Sequence, residues 1–260
     1  MRILILTQNE NLYLPNSFAT VCKALSSEVV CIVLLPVMSN HGGWLEGFMQ
    51  HYRLFGTKGT LIMGARVITA KIKTRLTRPG QDGPFYSIKQ VANGFSVPYH
   101  EIERVKSHEF QDLLDKYHPD LLVSISCPQI IGKKIREQIP MGCINVHGST
   151  LPKYRGMMPA FWVLRNNEEK TSVTVHDLAA KLDDGDILFQ KEVEITPDDT
   201  WDSLVRKSKA AGAQALIDAV RQIKDGSVKR KPNLEEEATY FSFPTAKDRK
   251  AFIQAGKQFF

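Results

Sequence analysis

The chain of 260 residues is 43% hydrophobic and 24% charged, the balance of a globular protein with a sizeable core, which excludes collagen-like, coiled-coil and disordered classes. Its net charge of +6 is a local feature: residues 47–81 hold Arg53, Lys58, Arg66, Lys71, Lys73, Arg75 and Arg78 and no acidic residue, so the excess marks one surface and not a coat for nucleic acid. No apolar run approaches the roughly 20 residues of a spanning helix, and the opening lacks a signal-peptide pattern. Cys22, Cys31, Cys127 and Cys143 form no C-x-x-C pair and have no His at metal-ligand spacing. A cytoplasmic chain with reduced thiols, no transmembrane segment and no metal site is expected.

Residues 1–6 are an Ile/Leu run that passes into polar Thr7, Gln8, Asn9 and Glu10, the pattern of a buried first strand opening into a loop. A helix over 16–26 and a second buried strand over 29–35, closed by Pro36, follow. Residues 42–83 interrupt the alternation. Within them Leu61, Ala65, Ile68, Ile72 and Leu76 recur at spacings of 4, 3, 4 and 4, so they share one helical face with Arg66 and Lys73 on the other side. The first expectation for this basic insert is that its apolar face packs on the body and its cations are solvated. A phosphate clamp, on a nucleotide or a nucleic-acid backbone, ranks second and an anionic membrane surface third.

Beyond the insert the pattern predicts a short helix at 86–93, a strand at 97–102 and a helix over 107–117 capped by Ser107. A strand at 120–126, a helix at 133–138 and a strand at 142–147 come next. Strands alternating with helices indicate a doubly wound, mostly parallel α/β sheet, with ligands beyond the carboxyl ends of its strands. Residues 171–177 and 187–195 alternate as a β pair around the turn-forming 182–186, and Thr200 caps a helix from Trp201 to Lys224 that Gly226 ends. The expected organisation is one domain over 1–226, including the insert 42–83, and a linker with a short tail over 227–260. Tyr240, Phe241 and Phe243 of the tail suit stacking on a base, docking on the body, or docking on the second subunit of a homodimer.

No G-x-G-x-x-G follows the first strand and no P-loop motif occurs, so dinucleotide and nucleoside-triphosphate sites lose their main support. Asn145 and His147 lie two apart near the carboxyl end of a strand, hence on one face. An amide and an imidazole so placed can hold a developing oxyanion, and the imidazole can take a proton near neutral pH. A carboxylate from the Asp183 turn could set the His147 tautomer and raise its pKa, or accept a proton through water. From spacing alone the pair reads equally as a turn cap beside a satisfied strand-end histidine. His176 reads as structural, and Asp184 and Asp186 as turn residues around Gly185.

Residues 145–156 (NVHGSTLPKYRG), 174–176 (TVH) and 182–190 (LDDGDILFQ) together resemble the 10-formyltetrahydrofolate-dependent formyltransferases. That family includes methionyl-tRNA formyltransferase, glycinamide ribonucleotide transformylase and the nucleotide-sugar N-formyltransferases. The resemblance covers residues 85–200 and, more loosely, the first strand; Gly148, where the family usually has Pro, departs from it. It implies a Rossmann-like formyltransferase fold with a short C-terminal appendage. It also implies a catalytic set of Asn145, His147 and Asp183, with Gln129, Ile130 and Ile131 at the pterin of the 10-formyltetrahydrofolate donor and Arg155 at the substrate, although Arg155 reads equally as a surface arginine paired to a carboxylate. A substrate amine would attack the formyl carbon, Asn145 and His147 holding the oxyanion.

The tRNA enzymes continue into a further barrel of about 100 residues, whereas this sequence stops at Phe260. The expected acceptor is therefore the amine of a nucleotide-linked amino sugar, as in surface-polysaccharide synthesis, ahead of tRNA. A formyltetrahydrofolate hydrolase and a non-catalytic folate-binding protein are the competing readings. A first strand at the very start speaks against the regulatory domain that usually precedes the hydrolase, and the joint presence of Asn145, His147 and Asp183 speaks against the binding protein.

Overall fold

The computed structural model describes residues 1–37 and 43–260, so Gly42, the first residue of the expected insert, lies outside the described residues. Five strands, β1 (Ile3–Gln8), β2 (Val29–Leu35), β3 (Tyr99–Glu101), β4 (Leu121–Ile125) and β5 (Cys143–His147), run parallel. β2 is an unbroken apolar run, VVCIVLL, and β1 and β4 are largely apolar, because a strand covered on both faces has no side to give to water. After β6 (Arg155–Gly156), which lies apart, β7 (Lys170–Asp177) pairs antiparallel with β5, and β8 (Ile187–Glu194) with β7. The order β3-β2-β1-β4-β5-β7-β8 steps away from β1 in both directions, which opens the crevice where such sheets take ligands.

Alternation along β1 divides the core. Ile3 and Ile5 pack with α1 (Leu14–Ala24), α3 (Ile88–Gly94) and α7 (Trp201–Lys224), while Leu4 and Leu6 pack with α4 (His108–Tyr117) and α5 (Lys133–Arg136) on the other face. The Ser107 hydroxyl accepts from the Phe110 N–H to start α4, and a reciprocal Thr200/Ser203 box starts α7. Gly226, at φ 70°, stands just beyond the end of α7.

A third cluster joins α6 (Pro159–Arg165) to the chain's end. There β9 (Tyr240–Phe241) pairs with β6, and α8 (Ala246–Gln254) buries Phe252 against Phe161 at 4.7 Å between ring centroids. Phe241 stacks on Tyr154 and Trp162 at 5.2 and 4.7 Å, and Phe243 is buried. These two rings thus dock on the body and are not open to a base. Gly156 permits the β6–β9 contact: its φ is 103°, and a Cβ there would lie 2.2 Å from the Phe241 carbonyl oxygen.

The insert is helical, as α2 (Gly43–Leu76), but Gly56 at φ 66° and ψ −177° breaks it into two helices across a kink. Before the kink Leu54 and Phe55 enter the third cluster, Phe55 meeting Trp201 at 4.9 Å. Beyond it the expected orientation is reversed. Arg66 turns inward to Asp202 at 2.7 Å, Lys73 lies over the Tyr86 ring at 5.0 Å and Ala70 is buried, whereas Leu61, Ile68, Ile72 and Leu76 face outward. The reason is Asp202, a carboxylate at the start of α7 that also accepts from the Tyr13 hydroxyl and Arg206. A half-buried cluster of Arg66, Tyr13 and Arg206 on one carboxylate fixes a helix face that periodicity alone leaves free.

Candidate active site

The polar residues of interest meet towards the carboxyl end of β5, on the part of β7 paired with it, beside the turn before β8. Asn145 and His147, on one face of β5, lie opposite His176 and Thr174 of β7. Asp183, at φ 52°, projects from the turn, and its two oxygens divide the cluster. Oδ2 accepts from the Gly156 N–H at 2.9 Å and lies 3.4 Å from His147 Nδ1. Oδ1 lies 3.5 Å from Asn145 Nδ2 and 3.6 Å from His176 Nε2. Asn145, His147 and Asp183, which sequence reasoning drew from separate segments, are brought together.

The ring tautomers follow from the carbonyls they meet. His147 Nε2 is 2.8 Å from the Tyr154 carbonyl, which can only accept, so Nε2 carries the proton and Nδ1 of the neutral ring turns its lone pair towards Asp183. His176 Nδ1 likewise donates to the Asp177 carbonyl at 2.8 Å, leaving Nε2 to accept from Asn145 Nδ2 at 3.1 Å. His176 is buried with both ring nitrogens engaged, and it aims the Asn145 amide. Burial drives the His147 pKa below its usual value, the reverse of the expected rise, because the Asp183 charge only partly opposes it. Burial acts to raise the Asp183 carboxyl, but His147, His176 and the Gly156 N–H outweigh it and hold the group at about 2. A neutral imidazole therefore faces an ionised carboxylate.

Sequence reasoning missed Lys209. Its ammonium donates to the Ser126 hydroxyl at 2.6 Å, beyond the carboxyl end of β4, and its charge lowers the His147 pKa further. Burial also depresses the pKa of Lys209 itself, with Glu10 the opposing charge. The signal was present: Lys209 falls four after Val205 and seven before Leu216, a cation on the apolar stripe of α7. Ser126 at φ 50°, Tyr154 at 60° and Asp183 at 52° are non-glycine residues in the left-handed region, and such strain gathers where side chains must be aimed.

Gln129, Ile130 and Ile131 follow β4 at the same edge but are not equivalent. Gln129 ties the neighbouring loop, accepting from the Val105 N–H at 2.9 Å and donating to the Glu103 carbonyl at 2.7 Å. Ile131 is buried in the core, and its carbonyl accepts from Arg136 at 2.6 Å. Only Ile130 presents an open apolar side chain, 72% exposed. A cavity of about 250 Å³ lies at the ends of β2 and β3, lined by Glu101, Glu103 and Glu109 among others, and it does not include the Asn145–His147–Asp183 cluster.

Arg155 requires a correction. It is fully buried, with its guanidinium bonded to Asp184 at 2.7 Å, to Glu235, to the Tyr240 hydroxyl and to the side chain and carbonyl of Asn233. Asn233 in turn donates to the carbonyls of Asp183 and Gly185 at 2.9 and 3.0 Å. With both terminal nitrogens occupied, Arg155 is the strut that joins the tail to the Asp183 turn, and it has no free edge for a substrate. Among the described residues no cluster of His, Cys, Asp and Glu has the arrangement of a metal site.

A doubly wound sheet with an amide, an imidazole and a carboxylate at its carboxyl edge defines a restricted class of proteins. Residues 37–220 match the family model described as formyl transferase, and the chain belongs to that family. It is 33% identical to methionyl-tRNA formyltransferase of Acetivibrio thermocellus over 183 residues, 69% of this chain and 59% of the relative. It is 37% identical to that of Clostridioides difficile over 153 residues, 59% of this chain and 50% of the relative. The chain thus spans roughly half to three-fifths of these relatives. Among solved structures, phosphoribosylglycinamide formyltransferase of Anaplasma phagocytophilum shares the fold at a TM-score of 0.61 and 17% identity, covering 94% of this chain and 99% of that one. A sugar N-formyltransferase of a Shewanella species does so at 0.59 and 18%, covering 98% and 88%.

Proposed function

We propose that the protein is an N-formyltransferase that moves the formyl group of 10-formyltetrahydrofolate to a primary amine. The observation that carries this reading is the convergence of Asn145, His147 and Asp183, with tautomers set by backbone carbonyls. The lone pair of the acceptor amine forms the new C–N bond, the bond from the formyl carbon to the donor's nitrogen breaks, and that nitrogen takes a proton. Asn145 Nδ2 is held firmly by His176 but only weakly by Asp183, so its second N–H is the one free to turn towards the formyl oxygen as charge develops. The only N–H of neutral His147 is committed to Tyr154. His147 Nδ1 takes the amine proton, ionised Asp183 stabilises the imidazolium so formed, and that proton then passes to the departing nitrogen of the donor. The proton belongs to the His147–Asp183 pair as a unit.

The open Ile130 side chain and the backbone of the 129–131 loop fit the flat apolar face of a pterin, so these residues would hold the donor. Lys209 stands where an anionic group of either substrate would be drawn towards the site. For the acceptor we favour a nucleotide-linked amino sugar, the class of amine handled by enzymes that share the fold over nearly the whole chain, such as the sugar N-formyltransferase of a Shewanella species. Methionyl-tRNA is the second reading, favoured by the names of the sequence relatives. Tetrahydrofolate release from the donor, followed with a panel of nucleotide-linked amino sugars and separately with initiator methionyl-tRNA, tests both. Release that needs an amino sugar is expected. Release with tRNA alone overturns the acceptor, and release with no acceptor overturns the transferase in favour of a hydrolase.

A further inference from the structure

The distal part of α2 carries its apolar side chains away from the body. Leu61, Ile68, Ile72 and Leu76 are 69, 60, 50 and 77% exposed, and with Ala65 they form one stripe about 23 Å long at 1.5 Å per residue. The opposite face is secured. Arg66 pairs with Asp202, Ala70 is buried, and the Gln90 side-chain amide donates to the carbonyls of Thr74 and Thr77 at 3.1 and 2.8 Å. Rotating the helix to hide the stripe would break all of these, so its outward direction is built in.

The rim of the stripe has one sign. Lys58, Lys71, Arg75 and Arg78 are exposed beside it, and residues 47–81 contain no acidic side chain. An apolar stripe with a wholly cationic rim matches an anionic lipid surface, where the stripe enters the boundary of the acyl chains and the cations meet headgroup phosphates. A second copy of the chain fits less well, because stripe-to-stripe packing would set the two cationic rims against each other. A nucleic-acid backbone would satisfy the rim but leave the stripe in water. Among the described residues no helix is long and apolar enough to cross a membrane, so the contact lies in the plane of the surface.

We propose that the distal half of α2 is a peripheral docking surface for anionic membranes. It is independent of which amine accepts the formyl group. The test is co-sedimentation of the full chain with vesicles of equal parts phosphatidylglycerol and phosphatidylcholine, and with phosphatidylcholine alone. Sedimentation with the anionic vesicles only, weakened by added salt, is expected. Ile68→Gln/Ile72→Gln/Leu76→Gln and, separately, Lys71→Gln/Arg75→Gln/Arg78→Gln are each expected to lower the bound fraction roughly tenfold or more. All six side chains are exposed, so an unchanged far-ultraviolet circular dichroism spectrum and thermal midpoint show that the fold is kept. Failure of the unaltered protein to bind, or equal binding by the apolar variant, overturns the proposal. So does a dimer mass by light scattering that the apolar variant reduces to monomer without any vesicle binding, which would make the stripe a self-interface.

Discussion

The carboxyl edge of the sheet and the distal half of α2 depart from ordinary burial in opposite directions. At the edge, His147, His176 and Asp183 are buried and partnered by one another and by backbone groups. Along α2, isoleucine and leucine lie open while the cation Arg66 is turned inward. The two are linked by one rule, that a buried polar group must be matched. Asp183 finds its partners within the site and fixes the geometry of the cluster, whereas Asp202 finds Arg66 and in doing so decides which face of a helix is shown to the outside.

The largest loss is expected at Asp183. Asp183→Asn removes the charge that would stabilise the His147 imidazolium and is expected to lower kcat by roughly 10²–10⁴-fold, read from tetrahydrofolate release. Next comes Arg155→Met, which strips the tail of its strut and leaves Asp184 and Asn233 unmatched. A loss of about 3 kcal/mol in urea unfolding is expected, with no direct effect on chemistry where the protein stays folded. His176→Phe leaves the Asn145 amide unaimed; a fall of about tenfold in kcat with KM for the donor unchanged is expected, since this residue acts through Asn145 and Asp183. His176→Gln, able to accept from Asn145, should recover part of the loss.

The smallest effect is that of pH. His147 must be neutral to accept a proton and its pKa is below the usual 6.5, so the acid limb of kcat/KM should have its midpoint below that value. Stability carries the same sign. A histidine buried neutral stabilises the fold above its unfolded pKa and withdraws that support as the pH falls through it, whereas Asp183, held at about 2, contributes above its unfolded value near 4 and fails only in stronger acid. A stability profile flat down to pH 5 would contradict the buried neutral ring.

Much of the sheet was visible in the sequence because its signals are local. The run VVCIVLL, the Ser107 cap and the Thr200 cap give β2, α4 and α7 the boundaries that their residues suggest. The segments around Asn145, His147 and Asp183 were recognisable by their residues, though not the tautomers, which depend on the carbonyls of Tyr154 and Asp177. What local patterns could not supply was pairing at a distance. Arg155 read as a substrate contact because its partners Asn233, Glu235 and Tyr240 lie about 80 residues on. The face of α2 was misjudged because periodicity groups residues without saying which side meets the body, and Asp202 stands 136 residues from Arg66. The short pair β6–β9 and the helices α6 and α8 owe their form to the third cluster and carry little periodicity of their own.

The central claim rests on His147, and His147→Ala tests it most directly when donor binding and formyl transfer are measured on the same preparation. Binding of 10-formyltetrahydrofolate within about threefold of the unaltered protein, with turnover reduced at least about a hundredfold, is the predicted result. Turnover unchanged in the variant would contradict the assignment of this cluster as the catalytic site.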